Sequence, residues 1–404
     1  MNLDNSSTFP EKDLFYLKEL DHLKKKGNLR YLPEIIHEGK LIYLDNDTST
    51  IPHKKMVNLS SNDYLGIGTD SKLQRLFIEQ LPKEDFRLSA SSARLMTGNF
   101  IQHRHLESQL ASLYNAESAL IFSSGYHANI GILPAVSDRN TLILADKLVH
   151  ASLIDGIRLS SAEFIRYPHG DIEKAEALIK KHQSTHSRII LVTESIFSMD
   201  GDEAPLQKLV SLKRKYPQLL LYVDEAHAVG VRGAQGLGCA EEAEVLGEID
   251  FLCGTFGKAF GSVGAYLICR QVIRDYLINK ARSFIFNTAL PPLNIAWTSF
   301  VLDQICSPRW VQRRQSLSDM AQKIRRAASA QGYLIRSTSH IIPLVEGKSE
   351  KALEKAEKLR KAGFYALAVR PPTVPEGTSR VRISLTAALE PHELEELIIA
   401  IQRE

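Results

Sequence analysis

The 404-residue chain is 44% hydrophobic and 24% charged, a composition that fits a folded globular protein and excludes disordered or fibrous ones. Fifty Lys and Arg against 47 Asp and Glu leave a formal charge of +3, too small and too dispersed for phosphate-backbone recognition, so no nucleic-acid partner is expected. Cys239, Cys253, Cys269 and Cys306 lie 14, 16 and 37 positions apart, a spacing that fits reduced thiols in a cytoplasmic protein and no metal or redox pair.

Met1 to Asp4 lacks a basic leader, and no run approaches the ~18 apolar residues of a membrane span, so no membrane association is expected. A charged helical pattern around Leu14, Leu17, Leu20 and Leu23 ends in a solvated Lys24 to Lys26 run, and a strand-like piece follows at Leu41 to Leu44. Together these make an N-terminal arm, residues 1–55. From Glu117 short apolar runs alternate with longer amphipathic stretches. The runs are Ala119 to Phe122, Thr141 to Leu144, Phe164 to Tyr167, Ile189 to Val192, Leu219 to Val223, Phe251 to Cys253 and Ala265 to Cys269. This βα alternation predicts an α/β fold, with one large, mainly parallel seven-stranded sheet covered by helices on both faces. It places a large domain at 56–300. Beyond it, strands at Ile341 to Val345 and Val381 to Leu385 and helices at Ser349 to Ala362 and Pro391 to Gln402 predict a smaller α+β domain, 301–404. The three prolines and the glycine of Arg370 to Gly377 predict an extended loop.

Ligands gather at the carboxyl ends of parallel strands, and here those ends are polar. Asp224 follows an apolar strand, where a buried carboxylate needs a partner. Alone it could be a helix cap or turn residue, and His227 could be a structural histidine. Lys258, in Gly254-Thr-Phe-Gly-Lys-Ala-Phe-Gly261, has glycines and aromatics around it where a surface lysine would have charges. Those glycines suggest close backbone approach, and a desolvated lysine becomes a nucleophile or base. The pair points to pyridoxal phosphate, which needs a lysine for its Schiff base and an acid to keep its ring nitrogen protonated. Ser124, Gly125 and Tyr126, at a strand-to-helix turn, and the Thr255 hydroxyl would receive the phosphate. His150 would lie flat on the ring.

Two other chemistries have partial signals in the sequence. Asp224-Glu-Ala-His227 spells a helicase motif, but the Gly-x-x-x-x-Gly-Lys-Ser/Thr phosphate loop such an enzyme requires is not met: Gly257-Lys258-Ala259 lacks the hydroxyl that would bind magnesium. His182 and His186 have zinc-helix spacing, yet no Glu follows His182 and no third ligand is evident, so no metal is expected.

Nine strings in order carry a resemblance: Asn58 to Gly66, Arg94-Leu-Met-Thr-Gly98, His105-Leu-Glu107, Phe122-Ser-Ser-Gly-Tyr126, His150-Ala-Ser-Leu153, Phe197-Ser-Met-Asp-Gly-Asp202, Asp224-Glu-Ala-His227, Gly254-Thr-Phe-Gly-Lys-Ala259 and Arg370-Pro-Pro-Thr-Val-Pro375. Over nearly its whole length the chain resembles the α-oxoamine synthases, fold-type-I pyridoxal-phosphate transferases. The resemblance implies that Lys258 forms the Schiff base, Asp224 pairs with the ring nitrogen, His227 bonds the ring's phenolic oxygen, His150 stacks and Ser198 also touches the cofactor. It further implies that Arg382 clamps the amino-acid carboxylate, that Asn62 and Thr373 face substrate and that Arg30 reaches the acyl donor. It implies a homodimer in which Asn287-Thr-Ala289 joins the neighbouring phosphate site.

The segment Arg370 to Arg382 is most similar to the branch that condenses L-alanine with a pimeloyl thioester, carried by coenzyme A or acyl carrier protein; glycine- and serine-condensing branches are the alternatives. An inactive scaffold subunit of the same fold should have lost Lys258, which is present. The sequence departs from the family at Ser89-Ala-Ser-Ser-Ala93, where glycines are usual, which predicts reduced backbone freedom near the acyl-donor entrance.

Overall fold

The computed structural model describes residues 10–44 and 54–403; the leader reading at Met1 to Asp4 and part of the 1–55 arm lie outside the described residues. The described chain opens with the helix Leu14–Lys25, which ends before Gly27 at φ +64°. Next comes a hairpin of β1 (Ile35–Glu38) and β2 (Leu41–Leu44), and then β3 (Met56–Asn58). The sequence showed β2 and missed β1 and β3, which are only 4 and 3 residues long.

The seven expected strands form one sheet. They are β4 (Ser118–Phe122), β5 (Thr141–Asp146), β6 (Glu163–Tyr167), β7 (Arg188–Glu194), β8 (Leu219–Asp224), β9 (Phe251–Thr255) and β10 (Ala265–Cys269), in spatial order β4-β10-β9-β8-β7-β5-β6. β10 runs antiparallel to both neighbours, whereas β6, β5, β7, β8 and β9 pair in parallel. Side chains alternate across a strand, and both faces are covered here. Leu142, Leu144, Ile189 and Leu191 join one apolar cluster, while Ile143, Ala145, Ile190 and Val192 join the other. Burial on both sides is why these strands read as continuous apolar runs.

After the long helix Pro308–Ala330, β11 (Ile341–Gly347), β12 (Phe364–Tyr365), β13 (Ala368–Val369) and β14 (Ser379–Ser384) follow. β11, β14 and β13 form a three-stranded antiparallel sheet. β12 leaves it and pairs in parallel with β3, Val57 opposite Phe364, so the sheet β1-β2-β3-β12 joins both ends of the chain. Residues 370–377 form turns without helix or strand. No helix among the described residues is long and apolar enough to cross a membrane.

Candidate active site

The parallel strands end side by side: Glu194 closes β7 and Asp224 closes β8 as register partners, and Thr255 closes β9. Lys258 follows in the loop after β9. That loop lies backbone to backbone on Gly68: a Cβ on Gly261, at φ +55°, would sit 2.5 Å from the Gly68 nitrogen. The close approach expected of these glycines is thus made, at Gly261, to the protein's own main chain.

Lys258 is partly buried, and its Nζ lies 2.8 Å from His227 Nε2. Burial lowers the amine's pKa to about 8, with the Arg382 charge adding to the drop and Asp224 and Glu194 opposing it. His227 is buried, and desolvation with the Lys258 and Arg382 charges holds its imidazole far below the ordinary range, so the ring is neutral. Its Nδ1 lies 2.6 Å from the Tyr64 hydroxyl, which donates to Asn62 Oδ1 at 2.9 Å. With that proton spent on Asn62, the network closes when His227 carries its hydrogen on Nδ1 and accepts from Lys258 at Nε2.

Asp224 is buried, and both its oxygens are bonded: Asn129 Nδ2 donates to Oδ2 at 2.8 Å and the Ala226 N–H to Oδ1 at 2.9 Å. Asn129 sits one turn into the helix Gly125–Val136 and is itself saturated, donating also to Ser152 Oγ at 2.9 Å and accepting from Tyr222 at 2.7 Å. Ser152 Oγ in turn lies 2.8 Å from His150 Nδ1. One asparagine therefore ties Asp224 to His150. The His150 N–H is held by Glu194 Oε1 at 2.5 Å, and burial, reinforced by Lys258 and opposed by Asp224, lowers the His150 pKa. Glu194 is 3% exposed. Burial, with the Asp224 charge beside it, raises its pKa well above the carboxylate range, and the Lys258 charge opposes that rise.

At the far end, Ser124 caps the helix Gly125–Val136, its hydroxyl accepting from the His127 N–H at 3.1 Å. The first-turn amides of Gly125 and Tyr126 have no partner within the helix and form an anion-binding end. The Tyr126 side chain turns away to Asp155, its hydroxyl 2.8 Å from Oδ2. The Thr255 hydroxyl donates to Gly264 O at 3.0 Å and accepts the Gly257 N–H at 3.2 Å. Asn287 Nδ2 lies 2.5 Å from Ser123 Oγ, Thr288 pairs with Ala93, and the Ala289 N–H reaches Ser92 O at 2.9 Å, so this strip borders the turn before Ser124.

Arg382, on β14, joins this network from the smaller sheet. Its Nε donates to Ser198 O at 2.6 Å, one terminal nitrogen to Asn62 Oδ1 at 3.3 Å and Ser384 Oγ at 2.5 Å, and the other to the Tyr64 hydroxyl at 3.5 Å. Asn62, Ser198, Arg382, His227 and Lys258 are therefore in one network. Arg30 and Thr373 are exposed and bonded to one another at 2.9 Å, a separate pair outside that network. Glu225, the second acid of the helicase-like string, is fully buried and accepts the N–H groups of Cys239 and Ala240 at 3.1 and 2.7 Å, so it caps a short helix.

Tyr64, Asn129 and Glu194 were given no role by the sequence reading. Signals for two of them were present: a lone amide amid the apolar helix residues Ala128, Ile130 and Ile132, and an acid two residues after the apolar run Ile189 to Val192. The donor set fits pyridoxal phosphate: a desolvated lysine, a buried, hydrogen-bonded acid whose charge acts on it, and a helix end for the phosphate.

Residues 54–401 match the aminotransferase class I and II family. A Haemophilus ducreyi protein named 8-amino-7-oxononanoate synthase is 48% identical over 394 residues, covering 96% of this chain and 100% of that protein. Among solved structures, serine palmitoyltransferase from S. paucimobilis with a bound PLP–myriocin aldimine superposes with TM-score 0.86 at 26% identity, covering 97% of this chain and 96% of that one. The 8-amino-7-oxononanoate synthase of Francisella tularensis superposes with TM-score 0.72 at 26% identity, covering 86% and 96%. The chain belongs to the class I and II aminotransferase family and, within it, to the α-oxoamine synthases, pyridoxal-phosphate acyltransferases of fold type I.

Proposed function

We propose that the chain condenses L-alanine with a pimeloyl thioester of coenzyme A or acyl carrier protein. The products are 8-amino-7-oxononanoate, CO2 and free thiol, a step of biotin biosynthesis, and the enzyme works in the cytoplasm as a homodimer. One observation carries the chemistry: a lysine amine with its pKa lowered to about 8 shares a network with Arg382 and faces the charges of Asp224 and Glu194. The substrate choice is supported by the 48% identity to the Haemophilus ducreyi synthase along nearly the full chain.

Pyridoxal phosphate, when bound, supplies a protonated ring that takes up the electron pair released as the Cα–H bond of alanine breaks. Asp224, fixed by Asn129 and Ala226, holds the proton at the ring nitrogen. His150 covers one face, and His227 stays neutral to bond the phenolic oxygen. The Lys258 amine, free base in a substantial fraction of molecules near pH 8, takes the Cα proton and returns one at the end. Arg382 presents a planar fork to the alanine carboxylate, oriented by Ser198 O. Exclusion of water would leave the acyl carbon as the electrophile available. Arg30 and Thr373 reach the acyl donor, and Asn287 to Ala289 complete the partner's phosphate site.

The serine palmitoyltransferase likeness, at TM-score 0.86, keeps a second reading in which serine meets a long acyl thioester. Thiol release from alanine, glycine and serine, each against short, dicarboxylic and long acyl thioesters, decides between them. Alanine with pimeloyl thioester is expected to lead. Serine with a long acyl chain in the lead would overturn the substrate assignment and leave the acyltransferase chemistry standing.

A further inference from the structure

Arg382 does not orient itself. Its Nε is anchored on the carbonyl of Ser198, in the loop after β7. On its outer side that loop is stapled to the smaller sheet: Arg380 pairs with Asp200 at 2.5 Å, and Gly201 O accepts from Ser339 Oγ at 2.7 Å. Gly201, at φ +69°, lies so close to β11 that a Cβ would sit 2.1 Å from Ile341 O.

On its inner side one histidine holds it. His169, in the loop after β6, bonds Asp202 Oδ2 through Nε2 at 2.6 Å and Asp146 Oδ1 through Nδ1 at 2.9 Å. Its ring packs edge-on against Phe197, with centroids 4.4 Å apart. Asp146 ends β5 and also accepts the N–H groups of Leu148 and Gly170, each at 2.8 Å, so it cannot swing away.

We propose that His169 is a positioning residue for amino-acid binding: bridging Asp146 and Asp202, it locks the 197–202 loop and so sets the direction of the Arg382 fork. The inference rests on the reading of Arg382 as the carboxylate clamp. Both ring nitrogens face carboxylates, so both carry hydrogens and the ring is a cation. The charged groups acting on it are Asp146 from β5 and Asp202 from the loop. Although burial opposes protonation, those two carboxylates raise the pKa to about 10. A glutamine there lacks the charge and carries both its donors on one nitrogen, so it cannot reach the two carboxylates from opposite edges as the ring does, which frees the loop on the side opposite its staples.

The test measures L-alanine affinity of the holoenzyme, from its visible absorbance change, in His169→Gln, Arg382→Lys and the double variant. His169→Gln is expected to weaken alanine about tenfold with kcat within about threefold, and to add nothing further to Arg382→Lys, because residues acting through one another are non-additive. If Arg382→Lys leaves alanine affinity unchanged, the clamp reading falls. If Arg382→Lys weakens it and His169→Gln does not, or if the two effects add, only the positioning role falls. Should His169→Gln fail to fold, Asp202→Asn takes its place, and wild-type affinity there overturns the proposal. An NMR titration of His169 in cofactor-free protein gives a readout independent of turnover: a pKa near 10 supports the bridge, and one near 6.5 removes it.

Discussion

His227 and His169 stand on the same rim of the same sheet, and their surroundings drive them to opposite protonation states. His227 is buried, and desolvation, with the Lys258 and Arg382 charges adding to it, keeps it neutral. His169 lies between Asp146 and Asp202, which keep it charged. The difference lies in the partners: one imidazole is a neutral hinge between a base and a hydroxyl, and the other is a cationic clasp between two acids. Both regions meet in Arg382, which helps depress His227 and is anchored on the loop that His169 holds.

The largest test of this contrast is at Asp224, the acid of the neutral region. Asp224→Asn should leave the fold intact and lower turnover on the order of a thousandfold, because an amide cannot hold a proton at the ring nitrogen. Near wild-type rates would reassign that acid. A second test acts on the clasp through stability. Because the folded pKa of His169 is raised above 6.5, its contribution is fully present below pH 6.5 and lost as pH rises through about 10. Thermal melts of cofactor-free wild type and His169→Gln should differ by about 2 kcal/mol at pH 6 and converge by pH 11. A constant gap would place no proton on the ring. The smallest effect concerns Ser91, which adopts φ +51°, the conformation that glycine takes without strain. Its amide is steadied by Ser89 Oγ at 3.0 Å. Ser91→Gly should stabilise the chain by up to about 1 kcal/mol, measured by urea unfolding; a loss of stability would show that the serine pair outweighs the strain.

The seven-stranded sheet was legible because strands buried on two faces need apolar residues at every position, as at Leu142 to Ala145. Strand pairs of two residues, such as Phe364–Tyr365, carry no such signal, since their formation depends on what lies alongside. Lys258, Asp224, His150 and His227 stood out at strand ends; the structure bonds Lys258 to His227 and links Asp224 to His150 through Asn129 and Ser152. Asn129 was invisible in a different way: its role exists only because a helix crosses Asp224 and Ser152 at once, a matter of three-dimensional placement. Ser91 shows the converse, since the sequence revealed a missing glycine and the backbone kept the glycine conformation.

The parallel pairing of Val57 with Phe364 has a consequence for biosynthesis. A ribosome must deliver almost the entire polypeptide before β3 can meet its mate, so the first sheet closes late and the early hairpin waits with one edge unpaired. Trimming either terminus past those positions would unzip the same seam.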